Sequence, residues 1–250
     1  ILGDTDIVSV GGGSHSGRSM RHAGTVMLMT SQELIEEGRK RAAELFDMPI
    51  EQIEFDEGQF LIPDTNHVIS LIELAENDPD TPLAAAKTNE MHDPVFPNGT
   101  ASCEVEIDPE TGHTTITRYT TVDDVGRCIN PMIVHGQTHG GIAQGVGQAM
   151  WEECYVEPDS GQPLCGSFMD YGMPRAHTLP SFKTEIAEVH SPTNPLGIKA
   201  GGEGGTTPAM AVMVNGIVDA VKPYGITDLQ MPMTPLSIWK AIQGARKSLQ

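Results

Sequence analysis

Glu203 stands alone among glycines in the stretch Gly197-Ile198-Lys199-Ala200-Gly201-Gly202-Glu203-Gly204-Gly205-Thr206-Thr207. Each glycine costs ordering entropy and adds no apolar contact, so this frame serves access better than stability. Backbone rather than side chains walls in the carboxylate. Two roles fit: a general base aimed at a ligand, or an acid held at a helix N-terminus by the macrodipole. The first accounts for the glycines, and it is carried forward.

Residues 9–20, SVGGGSHSGRSM, contain Gly12-x-x-x-x-Gly17-Arg18-Ser19, one side chain away from a nucleotide-binding P-loop. That loop needs a lysine on the terminal phosphates and an Asp-ended apolar strand for the metal; here Arg18 replaces the lysine and no such strand is obvious. An ATPase is set aside. The hydroxyls of Ser14, Ser16 and Ser19, the Arg18 guanidinium and unhindered glycine N–H groups still make an anion cradle, although a mobile Gly-Ser turn would use the same residues equally well. A hydrolase elbow is excluded, because Gly13-Ser14-His15-Ser16-Gly17 centres on histidine instead of serine.

A third stretch, Gly136-Gln137-Thr138-His139-Gly140-Gly141-Ile142-Ala143-Gln144-Gly145-Val146-Gly147-Gln148, mixes glycine with glutamine. Glycine lets a ligand approach the backbone and glutamine offers both donor and acceptor, which suits a heterocycle edge. Close helix packing through the glycines is the other reading. His135 and His139 have the i, i+4 spacing of metal ligands, but no third ligand lies nearby, and they read as ordinary polar residues.

These residues need elements to hold them. Residues 31–46 carry helical spacing behind Ser31 as N-cap, and 52–55 with 59–62 alternate around Gly58 as a short hairpin. Residues 77–98 read as an extended surface loop that could wrap a partner. Thr100–Ile107 and Thr114–Val122 alternate as strands on either side of Asp108-Pro109-Glu110-Thr111-Gly112, a tight reversal. Two Gly-rich helices follow, one after Pro131 and one after Glu203, and a last helix starts with Thr234 as N-cap and Pro235 in its first turn. The fold class is α+β, with the hairpin in a mixed sheet covered by the two Gly-rich helices. The chain is expected to form one domain over residues 1–250, with a division into subdomains at about 1–98 and 99–250.

With 15 Lys and Arg against 34 Asp and Glu, the net charge is -19. That field repels nucleic acid and anionic membranes. No apolar run approaches the length of a membrane span, and no signal peptide opens the chain; a cytoplasmic location is the expectation. Cys103, Cys128, Cys154 and Cys165 form no C-x-x-C pair, which argues against a zinc or iron–sulfur site. All four are expected to be reduced, and a Cys154–Cys165 bridge is not expected in a chain of this size. A start at Ile1-Leu2-Gly3-Asp4 without Met suggests a fragment or a separately encoded half.

Gly3-Asp4-Thr5-Asp6 with Arg18-Ser19, then Gly136-Gln137 with Gly140 to Gly145, then Gly201-Gly202-Glu203-Gly204-Gly205-Thr206, in this order, resemble the molybdenum hydroxylases, or xanthine oxidase family. Within it the chain is most similar to the large, molybdopterin-binding subunit of aerobic carbon monoxide dehydrogenase-like proteins. Met231-Pro232-Met233-Thr234-Pro235 and Trp239-Lys240-Ala241-Ile242 resemble that subunit's C-terminal end, and the agreement is with its C-terminal portion.

The resemblance implies a molybdopterin cytosine dinucleotide carrying molybdenum, with the metal held by the pterin and by no protein ligand. Ser16, Gly17, Arg18 and Ser19 would cradle its phosphates. Gln137, Gln144 and Gly145 would line the pterin, and Lys199, Gly201, Gly202 and Thr206 would belong to the loop and helix start beneath the metal. Glu203 would be the general base in hydroxylation of a small aldehyde or N-heterocycle, with water as the oxygen source. The implied partners are the rest of the molybdenum subunit, an iron–sulfur subunit and an FAD subunit. A non-catalytic cofactor-binding or interaction module is the alternative.

Overall fold

The computed structural model describes residues 3–248. The chain divides into two compact units, one of residues 19–93 with 194–196 and one of the remaining described residues. The sequence reading put the division near residue 98; here the larger unit also takes residues up to Arg18 and gives up only 194–196 between residue 94 and its end.

The smaller unit is built on α1 (Arg18–Phe46). A three-stranded antiparallel sheet follows, β1 (Glu54–Asp56), β2 (Gln59–Leu61) and β3 (Val68–Ser70), in that spatial order. Glu57 and Gly58 both take positive φ, which closes the expected hairpin as a tight turn. Then comes α2 (Leu71–Asn77), fixed by a capping box in which Ser70 and Glu73 exchange hydrogen bonds. Ala42, Ala43, Ile53, Phe60, Ile62 and Leu74 form the core.

The larger unit carries β4 (Asn98–Ile107), β5 (Thr114–Asp124), α3 (Pro131–Met150), β6 (Phe182–Ala187), α4 (Thr206–Val221) and α5 (Pro235–Ser248). β4 and β5 pair antiparallel from Asn98 opposite Asp124 to Ile107 opposite Thr114, and β6 adds parallel to β5. The inward residues of β4 alternate along the strand. α3 and α4 pack on each other, with α4 against β4 and α3 against β6. Ile142, Val146, Ala149, Met213, Ile217, Ile238 and Ile242 fill the space between them. This is the α+β arrangement expected, a hairpin in a sheet with two Gly-rich helices on it.

Local signals account for the starts. Asn130 caps α3 by accepting from the Ile133 N–H, with Pro131 at the first position. Thr234 accepts from the Ser237 N–H at the start of α5. Residues 78–97 hold no helix or strand. Three elements were not anticipated, β3, α2 and β6, and α1 begins at Arg18 instead of Ser31. Among the described residues no helix is long and apolar enough to cross a membrane.

Candidate functional site

The Glu203 loop is fastened to the end of β5 before it is free to do anything else. Ile198 bridges Gly126, and the Lys199 N–H donates to the Val125 carbonyl at 2.8 Å while the Arg127 N–H donates to Gly197 O at 2.9 Å. Below this the Lys199 ammonium is paired with the Asp124 carboxylate, the two side chains only 11% and 7% exposed. From that anchor the backbone runs through Ala200, Gly201 and Gly202 to Glu203. The Glu203 carbonyl then accepts from the Thr206 and Thr207 N–H groups at the mouth of α4. The side chain is left exposed, and its Oε1 accepts a hydrogen bond of 3.3 Å from the Ser16 hydroxyl.

Ser16 is brought there by the conformation of the Gly-Ser stretch. Ser16 and Gly17 both have positive φ, 44° and 72°. A Cβ at Gly17 would stand 3.0 Å from the Lys199 carbonyl oxygen and 3.1 Å from the Ala200 Cα, so the turn lies directly on the Glu203 loop where only glycine fits. Arg18 Nη1 donates to the Gly13 carbonyl at 2.8 Å, and its guanidinium lies over Gly12, folding residues 12–18 into a closed loop. Ser19 is exposed in the first turn of α1.

From α3, the Gln137 side-chain amide donates to the Gly202 carbonyl at 2.5 Å, and Gln144 accepts from the Thr206 hydroxyl at 3.5 Å. Gln137, Gly140 and Gln144 recur along one exposed stripe of the helix beside the Glu203 loop, and nothing lies within 4 Å of where a Gly140 Cβ would be. Gly145 faces the other way. It is buried, and a Cβ there would meet Ala209 Cβ at 2.6 Å and the Thr206 carbonyl oxygen at 2.9 Å; of the two readings of this glycine, close packing of α3 on α4 is the one its surroundings explain. His135 and His139 both turn to the Thr184 hydroxyl on β6, at 2.7 and 3.2 Å.

Under the loop lies a cavity of about 280 Å³ lined by Asn98 and Gly99 of β4, Asp123 and Asp124 of β5, Thr138 of α3, residues 200–204, and Thr207 and Pro208 of α4. The two aspartates are both buried and titrate in opposite directions. Burial pushes the Asp123 carboxyl up, only partly offset by the Thr121 hydroxyl. Burial acts on Asp124 too, but the hydrogen bond from Lys199 and those from the Gly126 and Val189 N–H groups outweigh it and hold the carboxyl below the usual range. Lys199 is therefore an anchor, its charge used inside the protein. Sequence reasoning missed Asp123, Asp124, Asn98 and Thr138. Two adjacent acids ending a strand, where one is half of an ion pair, were the available signal.

Residues 1–180 match the model of the molybdopterin cofactor-binding domain. The chain belongs to this family, and thereby to the molybdenum hydroxylases. It is 36% identical over 99% of its length to the 6-hydroxypseudooxynicotine dehydrogenase complex subunit gamma of Paenarthrobacter nicotinovorans, covering 32% of that protein. Among solved structures, the fold is similar to reconstituted CO dehydrogenase from Oligotropha carboxidovorans, with a TM-score of 0.85, 27% identity, and coverage of 98% of this chain and 32% of that one. It is also similar to quinoline 2-oxidoreductase from Pseudomonas putida 86, with a TM-score of 0.81, 30% identity, and coverage of 92% and 31%. The chain thus spans about a third of the length of these relatives.

Proposed function

We propose that this chain is part of the molybdenum subunit of a hydroxylase that oxidises a small aldehyde or N-heterocycle, with Glu203 as its general base. The observation that carries the reading is the meeting of two stretches distant in sequence: the Gly-Ser turn lies on the Glu203 loop, and the Ser16 hydroxyl reaches the Glu203 carboxylate at 3.3 Å. The loop expected to hold an anion and a lone acid share one surface. The exposed stripe Gln137, Gly140 and Gln144 borders it, with open space beside Gly140.

These residues fit a molybdopterin dinucleotide. The Ser16 and Gly17 backbone, Arg18 and Ser19 would hold its phosphates, and Gln137 and Gln144 would meet the polar edge of the pterin, with Gly201, Gly202 and Thr206 as small neighbours. Among the described residues no three His, Cys, Asp or Glu side chains come together as a metal site; in this proposal the pterin carries the metal. When bound, that cofactor supplies a Lewis acid and a two-electron acceptor.

The chain's own part is positional. Lys199 and Asp124 fix the loop, the α4 N-terminus fixes the Glu203 backbone, and the Glu203 carboxylate accepts a proton from the attacking water-derived oxygen. Ser16 orients that carboxylate. The cytosine form of the dinucleotide, iron–sulfur and FAD partner subunits, and a cytoplasmic location belong to the same proposal; a relative described as one subunit of a dehydrogenase complex supports the expectation of partner subunits.

The test is Glu203→Gln in the full protein purified with its partners and assayed on a panel of aldehydes and N-heterocycles. Molybdenum and acid-released CMP should stay at the wild-type ratio while turnover falls by about 10²–10⁴-fold, the usual worth of a general base. Wild-type turnover in the variant removes Glu203 from the mechanism. Wild-type protein holding neither molybdenum nor CMP would leave a non-catalytic module.

A further inference from the structure

Between α3 and β6 the chain makes an excursion that contains a second, small hairpin. Val156 bridges Pro163 in antiparallel fashion. The Leu164 N–H donates to Tyr155 O at 3.0 Å and the Glu157 N–H to Gln162 O at 2.9 Å. Bonds at 155 with 164 and at 157 with 162 make Val156 and Pro163 a pair without hydrogen bonds between them. Carried on beyond this single bridge, the same register, two residues back on one strand and two forward on the other, brings Cys154 opposite Cys165.

Directly opposed residues at such a position have Cα atoms about 4.5 Å apart, inside the range of about 4.4–6.8 Å that a disulfide spans without backbone movement. Both are free thiols, Cys154 exposed and Cys165 partly so, and the Cys165 Sγ lies 3.8 Å from the Tyr155 carbonyl oxygen, back toward the opposite strand. The Cys154 thiol is pushed up in pKa, chiefly by the neighbouring Cys165 thiol. The excursion is already closed at its base by the Tyr171 hydroxyl donating to Glu152 at 2.9 Å, so the two strands have little freedom to part.

We propose that Cys154 and Cys165 are a dithiol modification site, which a low-molecular-weight disulfide oxidises to a cross-strand bond stapling this hairpin. One cysteine thiolate attacks a sulfur of R–S–S–R, forming a protein mixed disulfide and releasing one RSH. The opposed thiolate then attacks the protein-side sulfur and releases the second RSH. The protein loses two protons and two electrons, and the small disulfide gains them. The hairpin register makes the second step intramolecular and fast, so the mixed disulfide does not accumulate.

The experiment treats the full-length native protein with oxidised glutathione, then alkylates and digests it with a protease specific for acidic residues, which cuts the hairpin between the two cysteines after Asp159. In the wild type the fragments carrying Cys154 and Cys165 should remain joined, two hydrogens lighter, without glutathione, and should separate on reduction. Cys154→Ser should retain glutathione on Cys165, and Cys165→Ser on Cys154. Wild-type protein with glutathione on both cysteines, or with both thiols unreacted under conditions that modify the single variants, overturns the proposal. So does a linkage from either cysteine to Cys103 or Cys128.

Discussion

Lys199 sits two residues from the glycine frame of Glu203, where a positive charge suits an anionic ligand, yet its ammonium is spent on Asp124. Removing one partner of a buried pair leaves the other as an uncompensated charge, which costs more than the pair contributes. Lys199→Met should therefore destabilise the larger unit by about 3–5 kcal/mol at neutral pH. The sign with pH follows from Asp124. Its carboxyl is held below the unfolded value of about 3.9, so the stabilisation is whole above that value and is lost as pH falls through the lowered one. Urea midpoints for variant and wild type should differ at pH 7 and converge in acid; a gap unchanged in acid would mean that the ion pair is not its source. Glu203 was legible as a special residue because its neighbours are glycines, a local fact. Asp124 was not, because Val122-Asp123-Asp124-Val125 reads as the end of a strand and its partner lies 75 residues along the chain.

Elements were legible where their reasons are local. β4 and β5 announce themselves by alternation on either side of a Pro- and Gly-containing reversal, and α5 by its cap. β6 alternates as well, but its identity as a strand comes from a parallel partner, β5, far away in sequence. α2 carried a readable signal in Ser70-x-x-Glu73, a capping box passed over because the helix is short. The first half of α1 lacks a helical stripe, and Gly24 and several β-branched residues weaken it further. The glycines of the helices divide by what surrounds them. Gly244 in α5 has nothing within 4 Å of a would-be Cβ, so Gly244→Ala should gain about 1 kcal/mol from helix propensity alone. Gly145 gains the same propensity but drives a methyl into Ala209 and the backbone of Thr206, and the overpacking cost of about 1–3 kcal/mol should reverse the sign. Thermal unfolding of the two variants reads the difference directly; stabilisation by both would mean that α3 and α4 are not held together at Gly145.

At the scale of the molecule, the sequence offered a single cut near residue 98, whereas the chain leaves the larger unit at Arg18 and returns at Pro94, and α1 runs through the first of these points without a break. Both crossings carry turn residues, the Gly-Ser stretch before Arg18 and Asp93-Pro94 with Pro97-Asn98-Gly99 after the second, but local composition cannot tell that the segments outside them fold together. What separates the units is that each has a core of its own, and the smaller one rests on few side chains, with Phe60 the largest. Gly38 of α1 is buried and leaves its Cβ position to the Phe60 ring, so any side chain there must push the ring aside. Gly38→Ala should cost about 1–3 kcal/mol, expressed first in the unit that holds the residue. Native-state hydrogen exchange locates such a loss, because amides report the opening of their own cooperative unit. Amides of β1, β2 and β3 should exchange about 5–150-fold faster, the factor carried by 1–3 kcal/mol, while those of β4 and β5, whose core draws on α3 and α4, keep their wild-type rates. Equal acceleration in both sheets would mean that the two cores open as one, and the smaller unit would then have no stability of its own to lose.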